Sequence, residues 1–241
     1  MDHLPEIPDN RTIAPASILI PLTFSSHDTA KLQRIAELYE AVKVMILFGE
    51  EISPNNFTLP QILKELRDAF DHIMRVIAAK LGLKSGAGED YTQINLDKVF
   101  GHVYRCAYDV MDWVSLILRA RIEGELKKYS SNAITAAIPT YYSVIRPRLY
   151  STIPQEIAKI RGNKDIGSPD PKAISEYADC VYDLKEYWDT VVRAKDGLID
   201  YANREKGKKL IEYAVVFILG IITAAIVGVA IWYFLPIKVT L

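Results

Sequence analysis

The chain has 241 residues, half of them apolar, and its 29 basic and 30 acidic side chains leave a net charge of −1. This balance excludes a generally basic nucleic-acid-binding protein, and the 10% aromatic content excludes a disordered or collagen-like chain. Two cysteines, Cys106 and Cys180, cannot build a disulfide framework and favour a reducing compartment.

A proline-rich lead covers residues 1–27, and a helical pattern follows it. Ser26 or Asp28 is suited to cap the first helix, because either side chain can accept a hydrogen bond from a free backbone N–H. Gly49 and Pro54 are expected to end this helix. Its apolar positions include Leu32, Ile35, Leu38, Tyr39, Val42 and Ile46.

The second helix is predicted over 59–81, with Pro60 in its first turn, where a backbone N–H would be unpaired anyway. Apolar residues recur every three or four positions and predict one buried stripe. This stripe contains Leu59, Ile62, Leu63, Leu66, Phe70, Ile73, Ile77 and Leu81. The sequence KSGAGED at 84–90 lacks the glycine and lysine spacing of a phosphate-binding loop, so it is predicted to be a connector.

A third helix is predicted over 94–126, because apolar residues alternate four and three positions apart there. They are Leu96, Phe100, Val103, Ala107, Val110, Val114 and Ile117. Prolines at 139, 147 and 154 are expected to divide the segment 131–162 into shorter helical pieces.

The last soluble helix is predicted to begin at Pro171 and to continue to about residue 202. No proline separates it from the apolar C-terminal stretch, so a continuous rod from Pro171 is a further expectation. The predicted fold is all-α, an antiparallel helical bundle over 28–209 followed by a single transmembrane helix within 210–235.

The stretch 213–235 reads YAVVFILGIITAAIVGVAIWYFL and contains neither a charge nor a proline. A bilayer core about 30 Å thick requires roughly 20 apolar residues in a helix, so this stretch is long enough to cross it. Tyr213 at one end, and Trp232 with Tyr233 at the other, suit the headgroup level. The sequence therefore predicts a single-pass membrane protein.

Four basic residues precede the apolar stretch and one, Lys238, follows it. The four are Arg204, Lys206, Lys208 and Lys209. The positive-inside rule places the bundle at 28–209 in the cytoplasm and leaves residues 236–241 as a short extracytoplasmic tail. The same four residues are candidates to bind anionic lipid headgroups, at about 1 kcal/mol each near the surface.

Small residues recur every fourth position of the apolar stretch, at Gly220, Ala224 and Gly228. Such a row lets two membrane helices approach closely. A single-span chain has no second helix of its own to pack there, so the row predicts a homo-oligomer.

One short motif stands out in the second helix, where residues 65–75 read ELRDAFDHIMR. Arg67, followed by Asp68 and then by His72, resembles the RxxxxH motif of the HEPN superfamily. These are helical-bundle proteins, many of them ribonucleases or components of toxin and defence systems. The resemblance implies that Arg67 stabilises phosphate charge, that His72 acts as general acid or base on RNA, and that two chains form a composite cleft. It also implies a place in antiviral defence.

The same residues fit a purely structural interpretation. Arg67 and His72 are about 140° apart around a helix, so one helix alone is not expected to bring them together. On a solvated helix face these side chains would form pairs at i,i+4 spacing, and each pair would stabilise the helix by a few tenths of a kcal/mol. The pairs would be Asp68–His72, Arg67–Asp71 and Asp71–Arg75. His102 of the third helix is a candidate to line, together with Arg67 and His72, a groove between the second and third helices.

Tyrosine and arginine concentrate in YYSVIRPRLY, residues 141–150. Both residue types are enriched in protein interfaces, and both can stack on nucleobases. We therefore select Tyr141, Tyr142, Arg146 and Arg148 as the candidate partner-binding residues.

No metal site and no cofactor are predicted, because the four histidines form no ligand cluster with the cysteines. The sequence favours a membrane-anchored effector or adaptor, whose cytosolic bundle senses a protein partner or ligand and which acts through oligomerisation of its membrane helix. The alternative is a membrane-tethered, metal-independent HEPN-like endoribonuclease. Given the neutral charge, any contact with nucleic acid would need a local basic patch.

Overall fold

A computed structural model describes residues 21–54, 58–165 and 170–234. These residues form seven α-helices and two π-helical segments, without a strand, which confirms the predicted all-α fold. The α-helices are α1 Ser26–Ile52, α2 Pro60–Lys80, α3 Glu89–Leu126, α4 Ser131–Ala137, α5 Ile153–Gly162, α6 Pro171–Arg193 and α7 Lys195–Phe234. The π-helical segments are Tyr141–Ile145 and Arg148–Thr152. Most of the proline-rich lead and the predicted tail with Lys238 lie outside the described residues.

Two compact units divide the described chain. The first holds residues 21–47 and 58–110, and the second holds 48–54, 111–165 and 170–234. The long helices α1 and α3 contribute residues to both.

Ion pairs near the helix ends connect the helices of the first unit. The Lys80 ammonium lies 3.2 Å from Asp28, joining the last turn of α2 to the first turn of α1, so these helices are antiparallel. Lys31 pairs with Asp97, which joins the early turns of α1 and α3. The core between the three helices includes Ile35, Val42, Ile62, Val76, Leu96, Val99 and Val103.

Ser25, rather than Ser26 or Asp28, caps α1. Its hydroxyl accepts a hydrogen bond from the Asp28 backbone N–H at 3.1 Å, and the Asp28 carboxylate accepts one from the Ser25 N–H at 3.4 Å. This reciprocal pair is a capping box, in which the third helical residue returns the bond of the cap. Asp28 is the third residue of α1, so it lies inside the helix instead of in front of it. Its carboxylate also pairs with Lys80.

Gly49 does not end α1, which continues to Ile52 and stops before Pro54. A Cβ atom at Gly49 would overlap the indole ring of Trp113. This glycine is therefore required for a close approach between a helix and an aromatic ring, and only Pro54 acts as the predicted helix stop.

The predicted buried stripe of α2 is wrong in part. The buried residues are Ile62, Glu65, Ala69 and Val76, whereas Leu63 and Phe70 are 55% and 64% exposed. The helix is rotated because the Glu65 carboxylate is buried against His102 and Arg105 of α3, a contact that hydrophobic periodicity cannot show. Part of the apolar stripe consequently faces outward.

The connection from α2 to α3 is made by a glycine C-cap. Gly82 has a φ of +71°, and the Leu83 N–H donates to the Ala78 carbonyl at 2.9 Å while the Gly82 N–H donates to Ala79 at 3.0 Å. This bond pattern is the Schellman motif, for which glycine is favoured at the left-handed residue. The predicted connector is confirmed over 84–88, whereas Glu89 and Asp90 already belong to α3, which begins before the predicted residue 94.

In the second unit, the segment 131–162 is divided into short helices as predicted, but two of them are π-helical. The Ile145 N–H donates to the Thr140 carbonyl at 3.3 Å, five residues back. Pro147, between the two π-helical segments, has no N–H with which to continue an α-helical ladder. The wider turns shift the side chains of 141–152 away from α-helical positions, and such insertions are frequent at functional sites.

Helix α6 packs along α3. Tyr177 is fully buried and donates a hydrogen bond to Asp112, and the Arg121 guanidinium lies 5.6 Å from the Trp188 ring centroid. The buried face of α6 includes Tyr177, Val181, Leu184 and Val191.

The predicted rod from Pro171 into the apolar stretch is wrong, because α6 ends at Arg193 and α7 begins anew at Lys195. Ala194 has φ −82° and ψ −3°, and it is the one residue that separates the two helices. Helix α7 packs against α4, where a Cβ at Gly197 would meet the Ala137 side chain at ordinary van der Waals distance.

Helices α4 and α7 are antiparallel. Ala137 at the end of α4 lies beside Gly197, and the Ser130 hydroxyl before α4 donates to Glu205 at 2.7 Å. From residue 206 onward every α7 side chain described is exposed. Among the described helices, α7 is the one long and apolar enough to cross a membrane.

Candidate functional site

A groove of about 450 Å³ in the first unit brings the three predicted catalytic residues together. We call it the histidine groove. It is lined by Arg67, Asp68, Phe70, Asp71, His72, Met74 and His102. Arg67 and His72 thus reach one groove although they are five positions apart on α2. The expectation that His102 of α3 lines the same space is confirmed.

His72 is held in a defined orientation by Asn95. Its Nδ1 atom lies 2.8 Å from the Asn95 Oδ1 atom, and the Asn95 Nδ2 group donates to the Tyr91 carbonyl at 2.8 Å. Because that second bond fixes which end of the amide is the acceptor, Nδ1 of His72 must be the donor. Neutral His72 therefore has its lone pair on Nε2.

His102 lies between a carboxylate and a guanidinium. Its Nδ1 atom is 2.8 Å from Glu65 Oε2 and 2.6 Å from the Arg105 Nη2 atom. The ring can donate to Glu65 when Nδ1 carries a proton, or accept from Arg105 when it does not. His102 thus has a hydrogen-bond partner in either protonation state of Nδ1.

Glu65 is 5% exposed and accepts a further hydrogen bond from Arg105 at 2.9 Å. Burial alone would raise the pKa of this carboxyl group, but the hydrogen bonds and charges of His102 and Arg105 outweigh burial and hold the pKa below its usual value. Glu65 is therefore ionised at neutral pH.

Arg67 does not point freely into the groove. Its guanidinium donates two hydrogen bonds to Asp68, at 2.7 and 3.1 Å, and this contact holds the pKa of Asp68 below its usual value. Of the three i,i+4 pairs expected from sequence, only Asp71–Arg75 forms, at 2.7 Å. Arg67 and His72 take Asp68 and Asn95 as partners instead.

Sequence reasoning missed Glu65 and Asn95 as members of this site. Glu65 looked like one more charge on a solvated helix, and Asn95 lies in a different helix from His72. The one usable signal was the position of Glu65 beside the apolar Ile62 and Ala69, which share its buried face.

The four predicted partner-binding residues divide between two places in the second unit. Tyr141, Tyr142 and Arg146 line one pocket, whereas Arg148 faces another. Arg148 forms an ion pair with Asp183 and lies 3.7 Å from Glu156, so its charge is neutralised within the fold.

The pocket around Tyr141 has a volume of about 510 Å³, and we call it the tyrosine pocket. It is lined by Glu123, Leu126, Lys127, Tyr129, Ser131, Ile134, Tyr141, Tyr142, Arg146 and Tyr150. The Tyr141 and Tyr142 rings meet edge to face with centroids 5.0 Å apart, and the Arg146 guanidinium lies 5.7 Å from the Tyr142 centroid. Burial raises the pKa of Tyr141 to about 12, so its hydroxyl stays protonated.

The remaining predicted residues lie on α7. Arg204, Lys206, Lys208 and Lys209 are exposed in the two turns before the apolar stretch. A Cβ atom at Gly220 or Gly228 would meet no neighbour within 4 Å, and Ala224 is exposed between them. Residues four positions apart stay on one side of a helix, so the small row forms a continuous open strip.

In the part of the chain that is described, no three His, Cys, Asp or Glu side chains converge as a metal site would require. Comparison of the chain with family models, curated proteins and solved structures finds no match.

Proposed function

We propose that this protein is a membrane-anchored helical effector or adaptor. In this proposal α7 crosses a bilayer, residues 28–209 lie in the cytoplasm and sense a protein partner or ligand, and contacts between α7 helices of several copies produce the response. The proposed setting, antiviral defence, derives from the HEPN resemblance of residues 67–72.

The continuity of α7 carries this proposal. Leu198 is fully buried in the second unit and Glu205 bonds to Ser130, while the same unbroken helix leaves its apolar part without any cover. A helix in the core of a soluble protein would bury such a surface, because exposed apolar area in water is unfavourable. Lipid is the cover that fits its length and composition.

The open strip of Gly220, Ala224 and Gly228 supports the homo-oligomer. Without side chains in the way, two α7 backbones can pack closely along this strip. The exposed basic residues from Arg204 to Lys209 support the cytoplasmic orientation and contact with anionic lipid.

The test is inducible expression with simultaneous measurement of membrane potential, RNA integrity and cross-linked oligomers. We expect the wild type to depolarise the membrane and to cross-link. Gly220→Leu with Gly228→Leu should lose both, since leucine side chains hold the helices apart. The matched control, Ile222→Leu with Ile226→Leu, changes the opposite side of α7 and should behave like the wild type. Cross-linking and depolarisation that persist in the glycine variant would contradict the proposal.

The histidine groove favours a second candidate, a membrane-tethered HEPN-like ribonuclease. Two imidazoles whose rings stack at a centroid distance of 5.4 Å share the groove with Arg67, the set of groups that metal-independent phosphodiester cleavage needs. One histidine would take the proton from the 2′-hydroxyl as it attacks phosphorus. The other would protonate the departing 5′-oxygen. RNA cleavage without depolarisation in the same cultures would favour this candidate over the first.

A further inference from the structure

We infer that the tyrosine pocket binds a planar aromatic anion, of the class that a nucleoside monophosphate represents, and that its occupation is transmitted to α7. This inference rests on the proposed effector function and names the ligand class that the effector senses.

The size and floor of the pocket suit a small molecule. Its volume of about 510 Å³ falls within the range of about 300–1,000 Å³ that is usual for small-ligand sites. Leu126, Ile134 and Tyr141 are each no more than 6% exposed and form an apolar base. Such a base accepts the face or edge of a ring system without leaving a buried polar group unpaired.

Aromatic and cationic side chains at the rim supply the remaining recognition. Tyr142 and Tyr150 are 37% and 50% exposed, so their rings are accessible for stacking with a base. Arg146 follows Tyr142 by one turn and lies against its ring, and Lys127 is exposed at the end of α3. Neither cation has an ion pair in the described residues, so both are available to a phosphate.

Glu123 gives the pocket one carboxylate beside hydroxyl groups that can both donate and accept hydrogen bonds. It is exposed at the edge of the pocket in the last turn of α3, which ends one residue before Lys127. A carboxylate there can accept hydrogen bonds from an exocyclic amino group or from ribose hydroxyls. This position favours a nucleotide over a bare aromatic acid, which offers no such donors.

Helix α4 connects the pocket to the membrane helix. Ser131 and Ile134 line the pocket, while Ala137 contacts Gly197 and Ser130 bonds to Glu205 of α7. A ligand that moves or orders α4 therefore acts on α7 directly. Coupling requires that the ligand bind two arrangements of α4 and α7 with different affinities. Helix α4, which lies between the pocket and α7, has seven residues and is short enough to shift between two such arrangements.

The experiment is calorimetric titration of the full chain in detergent micelles with adenosine monophosphate. Adenosine and ribose 5-phosphate serve as half-ligands. We expect each half-ligand to bind at least about tenfold more weakly than the nucleotide, because stacking and phosphate contacts are both needed. Tyr142→Ala with Arg146→Ala should weaken nucleotide binding by at least about tenfold. The control Tyr182→Ala with Arg193→Ala, on the exposed surface of α6, should leave it unchanged.

Cross-linking of α7 in the same samples tests transmission. The nucleotide should change the cross-linking yield of the wild type and leave that of the Tyr142→Ala, Arg146→Ala variant unchanged. The inference is overturned if guanosine, cytidine and adenosine monophosphates all fail to bind at about 1 mM, or if binding persists in the pocket variant. It is also overturned if bound nucleotide leaves cross-linking of the wild type unaltered. Nucleotide binding by the Gly220→Leu, Gly228→Leu variant separates this result from a failure of the effector function, because that variant retains the pocket.

Discussion

His72 of α2 and His102 of α3 stack with their ring planes inclined by 25° and their centroids 5.4 Å apart. In each ring the Nδ1 atom is engaged by a partner, Asn95 for His72 and Glu65 for His102. The bond to Asn95 leaves Nε2 of neutral His72 as its acceptor atom, whereas Nδ1 of His102 has a partner with or without a proton. If the groove acts on RNA as proposed, these two imidazoles supply the acid and the base, and Arg67 reaches a phosphate with the Nη1 group that Asp68 does not engage.

If the groove cleaves RNA, His72→Ala should lower the cleavage rate by about 100-fold or more, the usual contribution of a general acid or base. His102→Ala should have a comparable effect. The control is Arg75→Ala, which removes an exposed charge of α2 that does not line the groove. The rates are measured on a labelled RNA oligonucleotide with purified full-length protein. Cleavage at the wild-type rate by both histidine variants would leave the groove with a structural role.

Glu65→Gln should destabilise the fold by about 1–3 kcal/mol at pH 7, because the partly buried Arg105 and His102 lose the charge of their buried partner. Since the folded state lowers the pKa of Glu65, the contribution is complete above the unfolded-state pKa. It is lost as the pH falls through the lower pKa of the folded state.

Urea denaturation of the full chain in micelles, followed by circular dichroism from pH 7 to pH 3, measures this effect. The difference between the wild type and Glu65→Gln should shrink toward the acid end of the series. Glu40→Gln, on an exposed part of α1, provides the control and should show almost no difference. A Glu65→Gln difference that is constant across this range would rule out the proposed linkage.

Gly49→Ala should lower the free energy of unfolding by about 1–3 kcal/mol, because the added Cβ overlaps the Trp113 ring. Gly124→Ala is the informative counterpart. It lies within α3, and a Cβ there meets nothing within 4 Å. Alanine at that position should stabilise the protein by about 0.5–1 kcal/mol through its better helix propensity. Equal effects of the two substitutions would show that the Trp113 contact does not matter in solution.

The proposed topology predicts which residues a membrane-impermeant maleimide can reach in intact cells. The native cysteines should not react with the maleimide, because burial raises the pKa of the Cys106 thiol to about 12 and that of Cys180 to about 11. Thr240→Cys should be labelled from outside, and Ser85→Cys only after lysis. Labelling of Ser85→Cys in intact cells would reverse the orientation assigned from the positive-inside rule.

The helices themselves were predictable because their signals are local. In α3 and α6, apolar residues at three- and four-residue spacing do form the buried face, from Leu96 to Val114 and from Tyr177 to Val191. Local patterns failed where a distant residue decides the packing. Glu65 is buried because it contacts His102 and Arg105, and this contact sets the rotation of α2. The two partners follow Glu65 by 37 and 40 positions in the sequence, beyond the reach of a local pattern.

The same reason explains the break at Ala194. Arg193 in the last turn of α6 is a weak helix-end signal, since basic residues are common throughout helices, and the packing of Gly197 beside Ala137 of α4 follows from a contact between helices. The histidine groove was predicted only in outline. The residues Arg67, His72 and His102 were identified, but the partners that orient them belong to contacts between helices.

Residues 206–212 of α7 set the distance between the packed part of the chain and the hydrocarbon of the membrane on the proposed topology. They carry no cover from the rest of the described chain and extend for about 10 Å at 1.5 Å per residue. On the proposed topology they form a bare stalk that holds the nearest packed residue, Glu205, away from the hydrocarbon. The lipid headgroups that Lys206, Lys208 and Lys209 of this segment are proposed to contact fill that distance, so Glu205 and the Ser130 hydroxyl bonded to it lie at the headgroup layer and outside the hydrocarbon.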